Sequence, residues 1–264
     1  MKNVWIVSLV ALMFACKTDK RKVVQKPTDS LVVETNLQSA YPKDVLKVFV
    51  AHGGLDSWKS FKTLEFTIPK TDAPENQTIA LKSRKDKITM PKASMGFDGS
   101  EVWLLDEGAS YSGDAIFYHN LMFYFFAMPF VLADDGIVYS ETEPLEFEGK
   151  SYPGIRISYN SGIGTSPKDE YFMHYNAETF QMQWLGYTVT YRSGEVSDNV
   201  KWIRYNDWAN VEGIQLPQSI TWHAYEGRVI GEPKNTVVFE DVSLSISAKP
   251  EDHYAKPEKA KFVN

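Results

Sequence analysis

The run from Asp114 to Asp135, DAIFYHNLMFYFFAMPFVLADD, is the least polar stretch beyond the N-terminus and constrains the fold most. A helix that is apolar around its whole circumference must be surrounded by protein core, by lipid or by an apolar ligand. Residues 115–133 would form a helix about 28 Å long, which is enough to span a bilayer. Pro129 interrupts this run, however, because proline lacks a backbone donor. We therefore predict Asp114 as the N-cap, a helix to about Ala127 and a second short turn from Pro129, each too short to cross a membrane.

Composition favours a large domain with a hydrophobic core. The chain has 264 residues, of which 43% are hydrophobic and 14% aromatic. Its formal net charge is -6, so it lacks the electrostatic attraction that binding to a phosphate backbone requires. We expect no nucleic-acid partner.

The N-terminus has the pattern of a secretory signal. Lys2 precedes an apolar run, VWIVSLVALMFA, which ends at Cys16, the chain's one cysteine. The segment LMFAC resembles the lipobox of bacterial lipoproteins, in which the cysteine is lipidated and becomes the new N-terminus. We predict a signal peptide at residues 1–15, a lipid anchor at Cys16 and a flexible tether at residues 16–40 that holds the domain near a membrane. The alternative is an ordinary signal peptide with a coincidental cysteine.

Beyond the tether, the hydrophobic pattern changes from helical to strand-like. Residues Tyr41–His52 are predicted as a helix that Gly53-Gly54 ends. Alternating patterns then predict strands at 64–68, 79–82, 87–91, 94–98, 101–106, 137–141, 152–159, 170–175, 180–191, 200–205, 214–223 and 236–244. Hairpin turns are expected at Asp98-Gly99, Asn176–Thr179 and Ser193-Gly194. We predict an α+β domain over residues 41–248, dominated by one large antiparallel sheet, and a frayed polar tail at 249–264.

The predicted strand from Phe180 to Tyr191 carries large apolar groups on both faces. Trp184 lies on one face with Phe180 and Met182, while Tyr187 lies on the other with Leu185, Val189 and Tyr191. A sheet with one solvated face would alternate between apolar and polar residues. Either both faces are covered by core, or one is a curved aromatic surface that the apolar helix partly closes.

The order of elements resembles the periplasmic lipoprotein-carrier superfamily over roughly residues 41–245. The similar motifs are HGGLDSW, FDGSEVWLLD, the apolar helix, YNAETFQMQWLGY and YNDWANVEGIQLPQSITW. The resemblance implies a single, strongly curved antiparallel sheet, an open half-barrel, with helices packed on or plugging a concave face that holds acyl chains. It implies a ligand site lined by Trp103, Phe117, Leu121, Phe125 and Phe126, and the strand with two apolar faces adds Trp184 and Tyr187 as candidates. The chain departs from the soluble carrier in two ways. It is expected to be anchored through Cys16, as the family's receptor is, and it has no match to the arginine that holds the carrier's helical lid.

We found no sequence motif for catalysis or for metal binding. The five histidines show no HExxH or His-x-His spacing, and there is no GxSxG nucleophile elbow. Gly162-Ile163-Gly164 lacks the third glycine of a dinucleotide site. His174 and His223 could still meet across strands, near Glu170 or Asp207. We predict no catalytic residue, no metal and no cofactor, and therefore a protein that is not an enzyme.

Two functions remain open from the sequence. The first is a lipid-anchored envelope protein that binds a lipid or lipoprotein acyl chain between the sheet and the apolar helix. The second is an envelope scaffold with a filled core and no ligand, which presents the 160–169 loop or the tail to an envelope protein partner. In the family's sorting logic, Lys17 rather than aspartate after the cysteine favours the outer membrane, facing the periplasm.

Overall fold

The computed structural model describes residues 40–71, 73–160, 168–191 and 193–263. The predicted signal peptide, the anchor at Cys16, most of the tether and the Gly162-Ile163-Gly164 segment lie outside these residues. Residues 41–264 form a unit of their own, and the fold described below lies within it.

Two seven-stranded antiparallel sheets make up most of the described fold. In chain order the strands are Thr63–Ile68 (β1), Glu75–Ala80 (β2), Asp86–Thr89 (β3), Ser94–Phe97 (β4), Val102–Leu105 (β5), Ile137–Phe147 (β6), Lys150–Tyr159 (β7), Tyr171–Tyr175 (β8), Met182–Tyr187 (β9), Lys201–Val211 (β10), Ile214–Glu226 (β11), Val229–Val238 (β12), Glu240–Ser245 (β13) and Lys261–Phe262 (β14). The first sheet has the order β13-β1-β2-β3-β4-β5-β14, and the second has the order β12-β11-β10-β9-β8-β7-β6.

The prediction of one large sheet was wrong, because the chain changes sheets at Phe239. The sequence predicted a single strand over residues 236–244. In the structure, β12 belongs to the second sheet and β13 to the first. The buried ring of Phe239 lies 5.5 Å from Phe66 of β1 and 4.6 Å from Phe126. Burial of this ring in the core accompanies the crossing, and a strand pattern alone does not encode it.

Local turn signals, by contrast, were confirmed. The strands β4 and β5 pair across the turn at Asp98-Gly99, where Gly99 has a φ of 104°. Asn176 accepts hydrogen bonds from the backbone of Glu178 and Thr179 in the turn between β8 and β9. The strands β9 and β10 also pair, although β9 ends at Tyr187, earlier than predicted.

Two short helices precede the first sheet: Lys43–Ala51 (α1) and Leu55–Ser60 (α2). As predicted, α1 ends before Gly53-Gly54, and the Gly54 amide donates to the carbonyl of Phe49 at 2.8 Å. Gly53 has a φ of 104°, and a Cβ there would lie 2.3 Å from the carbonyl oxygen of Gly213. A larger residue would therefore clash with the β10–β11 turn.

The apolar run forms two helices and a final 3-10 turn. Ala115–Tyr118 (α3) is capped by Asp114, whose carboxylate accepts a hydrogen bond from the Phe117 amide at 3.0 Å, as predicted. The prediction of one helix from Asp114 to about Ala127 was wrong, because a break at His119-Asn120 separates α3 from Leu121–Phe126 (α4). The 3-10 turn Phe130–Ala133 begins after Pro129, where the second short turn was predicted. None of the helices in the described part of the chain is long and apolar enough to cross a membrane.

The helix α4 packs against both sheets. Phe126 lies on the side of the first sheet, where its ring stacks at 4.5 Å on Phe66. Phe125 lies on the side of the second sheet, and the hydroxyl of Tyr205 in β10 donates to its carbonyl at 2.8 Å. Most of the apolar run is therefore surrounded by protein core, the first of the three environments that its sequence allowed.

The C-terminal residues are ordered against the first sheet, so the prediction of a frayed tail was wrong. β14 pairs with β5, and the Val263 amide donates to the carbonyl of Val102 at 3.0 Å. The indole of Trp103 donates to the Tyr254 carbonyl at 3.0 Å, and the side chain of Tyr254 is buried. The prolines and charges of this segment suggested fraying, but its pairing at the sheet edge depends on residues far away in sequence.

Candidate ligand-binding cavity

A cavity of about 220 Å³ lies between the α3–α4 segment and the second sheet. The helical segment contributes one wall, and the end of β7, the start of β8 and the end of β9 with the residues after it contribute the other. The lining residues are Ile116, Phe117, Asn120, Leu121, Tyr124, Phe125, Tyr159, Asp169, Tyr171, Tyr187, Thr188, Val189 and Tyr191.

Four of the seven residues predicted for a ligand site line this cavity. Phe117, Leu121 and Phe125 come from the helices, and Tyr187 comes from β9. The ring of Phe125 lies 5.2 Å from that of Tyr187. The fold therefore brings these four predicted residues together around one cavity.

The other three predicted residues lie away from the cavity and have no exposed surface. Trp103 is covered by the C-terminal segment, and Phe126 packs on the first sheet. Trp184 belongs to a core cluster with Leu145 and Trp202. It is three residues before Tyr187 on the same strand, so the pleat places the two side chains on opposite faces. We therefore remove these three from the candidate site.

Three tyrosines that the sequence reasoning missed also line the cavity: Tyr124, Tyr159 and Tyr171. Tyr159 and Tyr171 meet edge to face with ring centroids 6.0 Å apart. The signal for Tyr124 was a tyrosine in an otherwise apolar run, because a tyrosine on an apolar wall brings a polar edge. Tyr159 and Tyr171 follow polar residues, and no local signal marked them. The three tyrosines come from three separate elements, so no local pattern joins them.

The tyrosine hydroxyls of the cavity are held in their protonated form. Burial raises the pKa of Tyr124 and Tyr171, and the negative charge of Asp169 adds to the effect on Tyr171. Burial also raises the pKa of Tyr187, whose hydroxyl accepts a hydrogen bond from the Trp222 indole at 2.9 Å. Near neutral pH these groups are hydrogen-bond donors and not phenolates.

A shallow groove of about 300 Å³ continues from the cavity. The two share Phe117, Val189 and Tyr191, and the groove extends along Ser193, Ser197, Asn199 and Lys201. The ring of Phe117 lies 5.0 Å from that of Tyr191 at this junction. A ligand longer than the cavity therefore has a path toward the surface.

Two buried carboxylates fix the helical wall to the first sheet on the side away from the cavity. Tyr118 donates to Glu75 of β2 at 3.0 Å, and His119 contacts Asp86 of β3 at 2.6 Å. Burial raises the pKa of Asp86, and its hydrogen bond with His119 opposes that rise. These two contacts attach the residues at the α3–α4 break to β2 and β3, and so fix the position of the helical wall of the cavity.

A larger open cleft of about 880 Å³ lies at the other end of the second sheet, between the β6–β7 and β11–β12 turns. Its arginines already have partners, since Arg204 lies over the Trp184 ring at 4.7 Å and Arg228 donates to the Glu143 carbonyl at 3.0 Å. This cleft is polar, and its lining shows no arrangement of side chains that resembles a catalytic site.

The histidines considered as a cross-strand pair each bond to backbone. His174 contacts the carbonyl of Tyr152 at 3.1 Å, and His223 contacts that of Gly231 at 2.8 Å. Glu170 pairs with Arg156, while Asp207 accepts hydrogen bonds from Gln218 and Ser219. Within the described residues, no three His, Cys, Asp or Glu side chains lie close enough to hold a metal ion.

Solved structures with similarity to this chain have low sequence identity. A DUF1329 family protein from Desulfovibrio piger is 9% identical, with a TM-score of 0.47 over 81% of this chain and 96% of that one. A LolA superfamily protein from Nitrosomonas europaea is 13% identical, with a TM-score of 0.37 over 74% and 88% of the two chains. A candidate outer membrane lipoprotein-sorting protein domain from Vibrio parahaemolyticus is 8% identical, with a TM-score of 0.39 over 75% and 95%.

No curated protein matches the sequence. A family model does match, over residues 85–229, which is more than half of the 264-residue chain. This range includes every residue that lines the cavity. The chain therefore belongs to the family of unknown function DUF6503.

Proposed function

We propose that this protein binds a hydrophobic ligand, a lipid or an acyl chain, in the cavity between α3–α4 and the second sheet. The observation that carries the proposal is a cavity of about 220 Å³ whose wall is mostly aromatic and aliphatic, beside a helix that otherwise packs into core. Ligand sites in proteins are typically concave, largely apolar and supplied with a few polar groups. The proposal rests on this cavity and not on the similarity to solved structures.

The size of the cavity limits how much of a ligand it can enclose. Since a water molecule occupies about 30 Å³ of liquid, the cavity holds a chain of about seven groups of that size. Burying seven methylenes at about 0.8 kcal/mol each would give roughly 6 kcal/mol before the cost of association. The remainder of a longer chain would lie in the groove that begins at Phe117 and Tyr191.

We further propose that the protein is a lipoprotein of the cell envelope, anchored through Cys16 in the outer membrane and facing the periplasm. The support is the sequence pattern LMFAC and the basic residue Lys17 after the cysteine. In this arrangement the domain handles its ligand close to its own membrane. The proposed role is to bind the ligand without catalysing a reaction, because an apolar cavity needs no catalytic group to hold an acyl chain.

The envelope scaffold with a filled core is the alternative function. The cavity between Leu121 and Tyr171 favours the binding role over this alternative, since a filled core would leave no such space. A protein partner on the surface remains compatible with either role.

Filling the cavity tests the proposal. Leu121→Trp adds a large ring at a lining position that is half-buried, and should abolish uptake of the apolar fluorescent probe N-phenyl-1-naphthylamine. Val50→Trp is the matched control, because Val50 is 74% exposed on α1 and distant from the cavity in sequence. Unchanged uptake by a folded Leu121→Trp protein would overturn the proposal.

A further inference from the structure

A further cavity, of about 530 Å³, lies between α2, the turn that joins β2 to β3, and the end of the apolar run. Its floor is aromatic, because the ring of Trp58 stacks on that of Phe130 with centroids 4.7 Å apart. Both rings are buried, whereas the exposed lining residues are Lys59, Lys82 and Asp135. The cavity therefore combines an apolar floor with a charged rim.

Positive charge is in excess at this rim. The lining includes three cations, Lys59, Lys82 and Arg84, and two carboxylates, Asp134 and Asp135. Arg84 pairs with Asp134 at 2.5 Å, and its Nη1 atom is buried without a hydrogen-bond partner among the described residues. The two lysines form no ion pair with any described residue. They remain beside one exposed carboxylate, so the rim favours an anionic group over a cationic one.

The rim also lies where the chain enters the described fold. Tyr41 directly follows the predicted tether of residues 16–40, and its hydroxyl donates at 3.2 Å to the carbonyl of Ala133, a lining residue. A random coil as long as this tether spans about 27 Å root-mean-square. An anchor at Cys16 would therefore keep the rim within reach of lipid head groups.

We propose that this cavity is a docking site for the head group of an anionic phospholipid in the membrane that carries the anchor. The phosphate lies beside Lys59 and Lys82, whose ammonium groups each offer three hydrogen-bond donors. Docking turns α2 and the β2–β3 turn toward the lipid surface. The choice of occupant rests on the proposed anchor at Cys16, but the site is separate from the cavity beside α3–α4.

Vesicle sedimentation of the protein carrying Cys16→Ser and exported to the periplasm tests this docking site. The vesicles contain either phosphatidylcholine alone or phosphatidylcholine and phosphatidylglycerol in equal parts. Lys59→Gln combined with Lys82→Gln should weaken binding to the anionic vesicles about tenfold or more, since each lysine near an anionic surface contributes about fivefold. Unchanged binding by this double variant would overturn the inference.

A matched pair of lysines separates the docking site from general attraction between basic residues and an anionic membrane. Lys150→Gln combined with Lys234→Gln removes the same charge from exposed positions on the second sheet and leaves the basic residues of the tether in place. Binding should change less than about twofold, because charges beyond a Debye length from the lipid are largely screened. An equal loss for both lysine pairs would overturn the inference, since net charge alone would then explain binding.

Filling the cavity tests whether the head group enters it. Ala133→Phe adds a ring at a half-buried lining position and leaves Lys59 and Lys82 in place. In a protein whose urea denaturation confirms the fold, this variant should bind anionic vesicles as weakly as the double variant at Lys59 and Lys82. Binding equal to that of the parent would show that the lysines act from the open surface, and would overturn the docking site.

Salt and the apolar probe supply two more readouts. Raising the salt from about 0.1 M to about 1 M shortens the Debye length from about 10 Å to about 3 Å and should release the parent from anionic vesicles. Binding that persists would contradict the electrostatic assignment. Uptake of N-phenyl-1-naphthylamine should be equal in the parent and in the double variant at Lys59 and Lys82. Absence of uptake by the parent would overturn the ligand proposal alone, whereas vesicle binding that ignores these lysines would overturn the docking site alone.

Discussion

Phe125 and Phe126 are adjacent in α4, and their rings contact different sheets. The ring of Phe125 lies 5.2 Å from Tyr187 in the second sheet, whereas that of Phe126 lies 4.5 Å from Phe66 in the first. One residue therefore faces the cavity and its neighbour belongs to the core. Substitutions at the two positions should have different effects.

Phe126→Ala should destabilise the fold. Phe126 is fully buried between Phe66 and Phe239, so its removal leaves a void in the core. The expected loss in the free energy of unfolding is about 3–5 kcal/mol, measured by urea denaturation. Leu121→Ala is the control, because this half-buried side chain already borders empty space and should cost less. A similar loss for both variants would show that α4 does not distinguish cavity from core.

Tyr205→Phe should lower stability through a single hydrogen bond. The fully buried hydroxyl of Tyr205 donates to the Phe125 carbonyl at 2.8 Å and fastens α4 to β10. Removing the donor leaves a carbonyl unpaired, at an expected cost of about 1–3 kcal/mol. The denaturation midpoint should fall with an unchanged slope. An unchanged midpoint would show that this bond does not hold the helix.

Two buried histidines should make the fold sensitive to mild acid. Burial lowers the pKa of His52 and of His174 from 6.5 to about 4. Between these values the unfolded chain binds more protons than the folded one, so stability falls as the pH falls through this window. The loss between pH 7 and pH 5 is about 2 kcal/mol for each histidine.

The histidine effect is measured as a difference between variants. Burial raises the pKa of Asp86 and of Asp134, and those groups act in the opposite direction, gaining stability as the pH falls. His52→Gln should therefore flatten the dependence of unfolding free energy on pH between about 6.5 and 4 relative to the parent chain. His253→Gln is the comparison and should flatten it less, because burial also lowers the pKa of His253 but this histidine is less buried than His52. An unaltered slope for His52→Gln would contradict the assignment.

The C-terminal segment should contribute to stability, although its composition resembles that of a tail. Deleting residues 250–264 removes β14, one of the two partner strands of β5, and the carbonyl of Tyr254 that pairs with Trp103. We expect a lower denaturation midpoint and a red-shifted tryptophan emission in the native state, because the Trp103 indole would meet water. Deleting Phe262 onward gives a milder control. Emission and midpoint equal to those of the full chain would show that the segment does not cover Trp103.

The parts of the fold that the sequence predicted are those that depend on neighbouring residues. Asp114 caps α3 through its own side chain, and Gly99 adopts a backbone angle that other residues avoid. The division into two sheets was missed because it depends on where Phe239 is buried, a non-local property. The ordered C-terminal segment was missed for the same reason, because β14 forms by pairing with β5, which is far away in sequence.

The candidate site shows the same division. Phe117 in α3 and Leu121 and Phe125 in α4 line the cavity, and the resemblance to the carrier superfamily implied all three, together with the buried Phe126. Trp184 was misplaced because both faces of β9 carry aromatic residues and the sequence did not say which face borders a cavity. Tyr171 was missed because it lines the cavity only together with residues of α3, α4, β7 and β9, which are far from it in sequence.

Native mass spectrometry of the protein carrying Cys16→Ser, exported to the periplasm without its lipid anchor and purified without detergent, tests the central claim most directly. We expect a discrete added mass that dissociates on activation and matches a lipid. The Leu121→Trp protein should lack this added mass, and the Val50→Trp protein should retain it. A protein that shows the apo mass alone, and still does so after incubation with lipid vesicles, would contradict the binding role and favour the envelope scaffold.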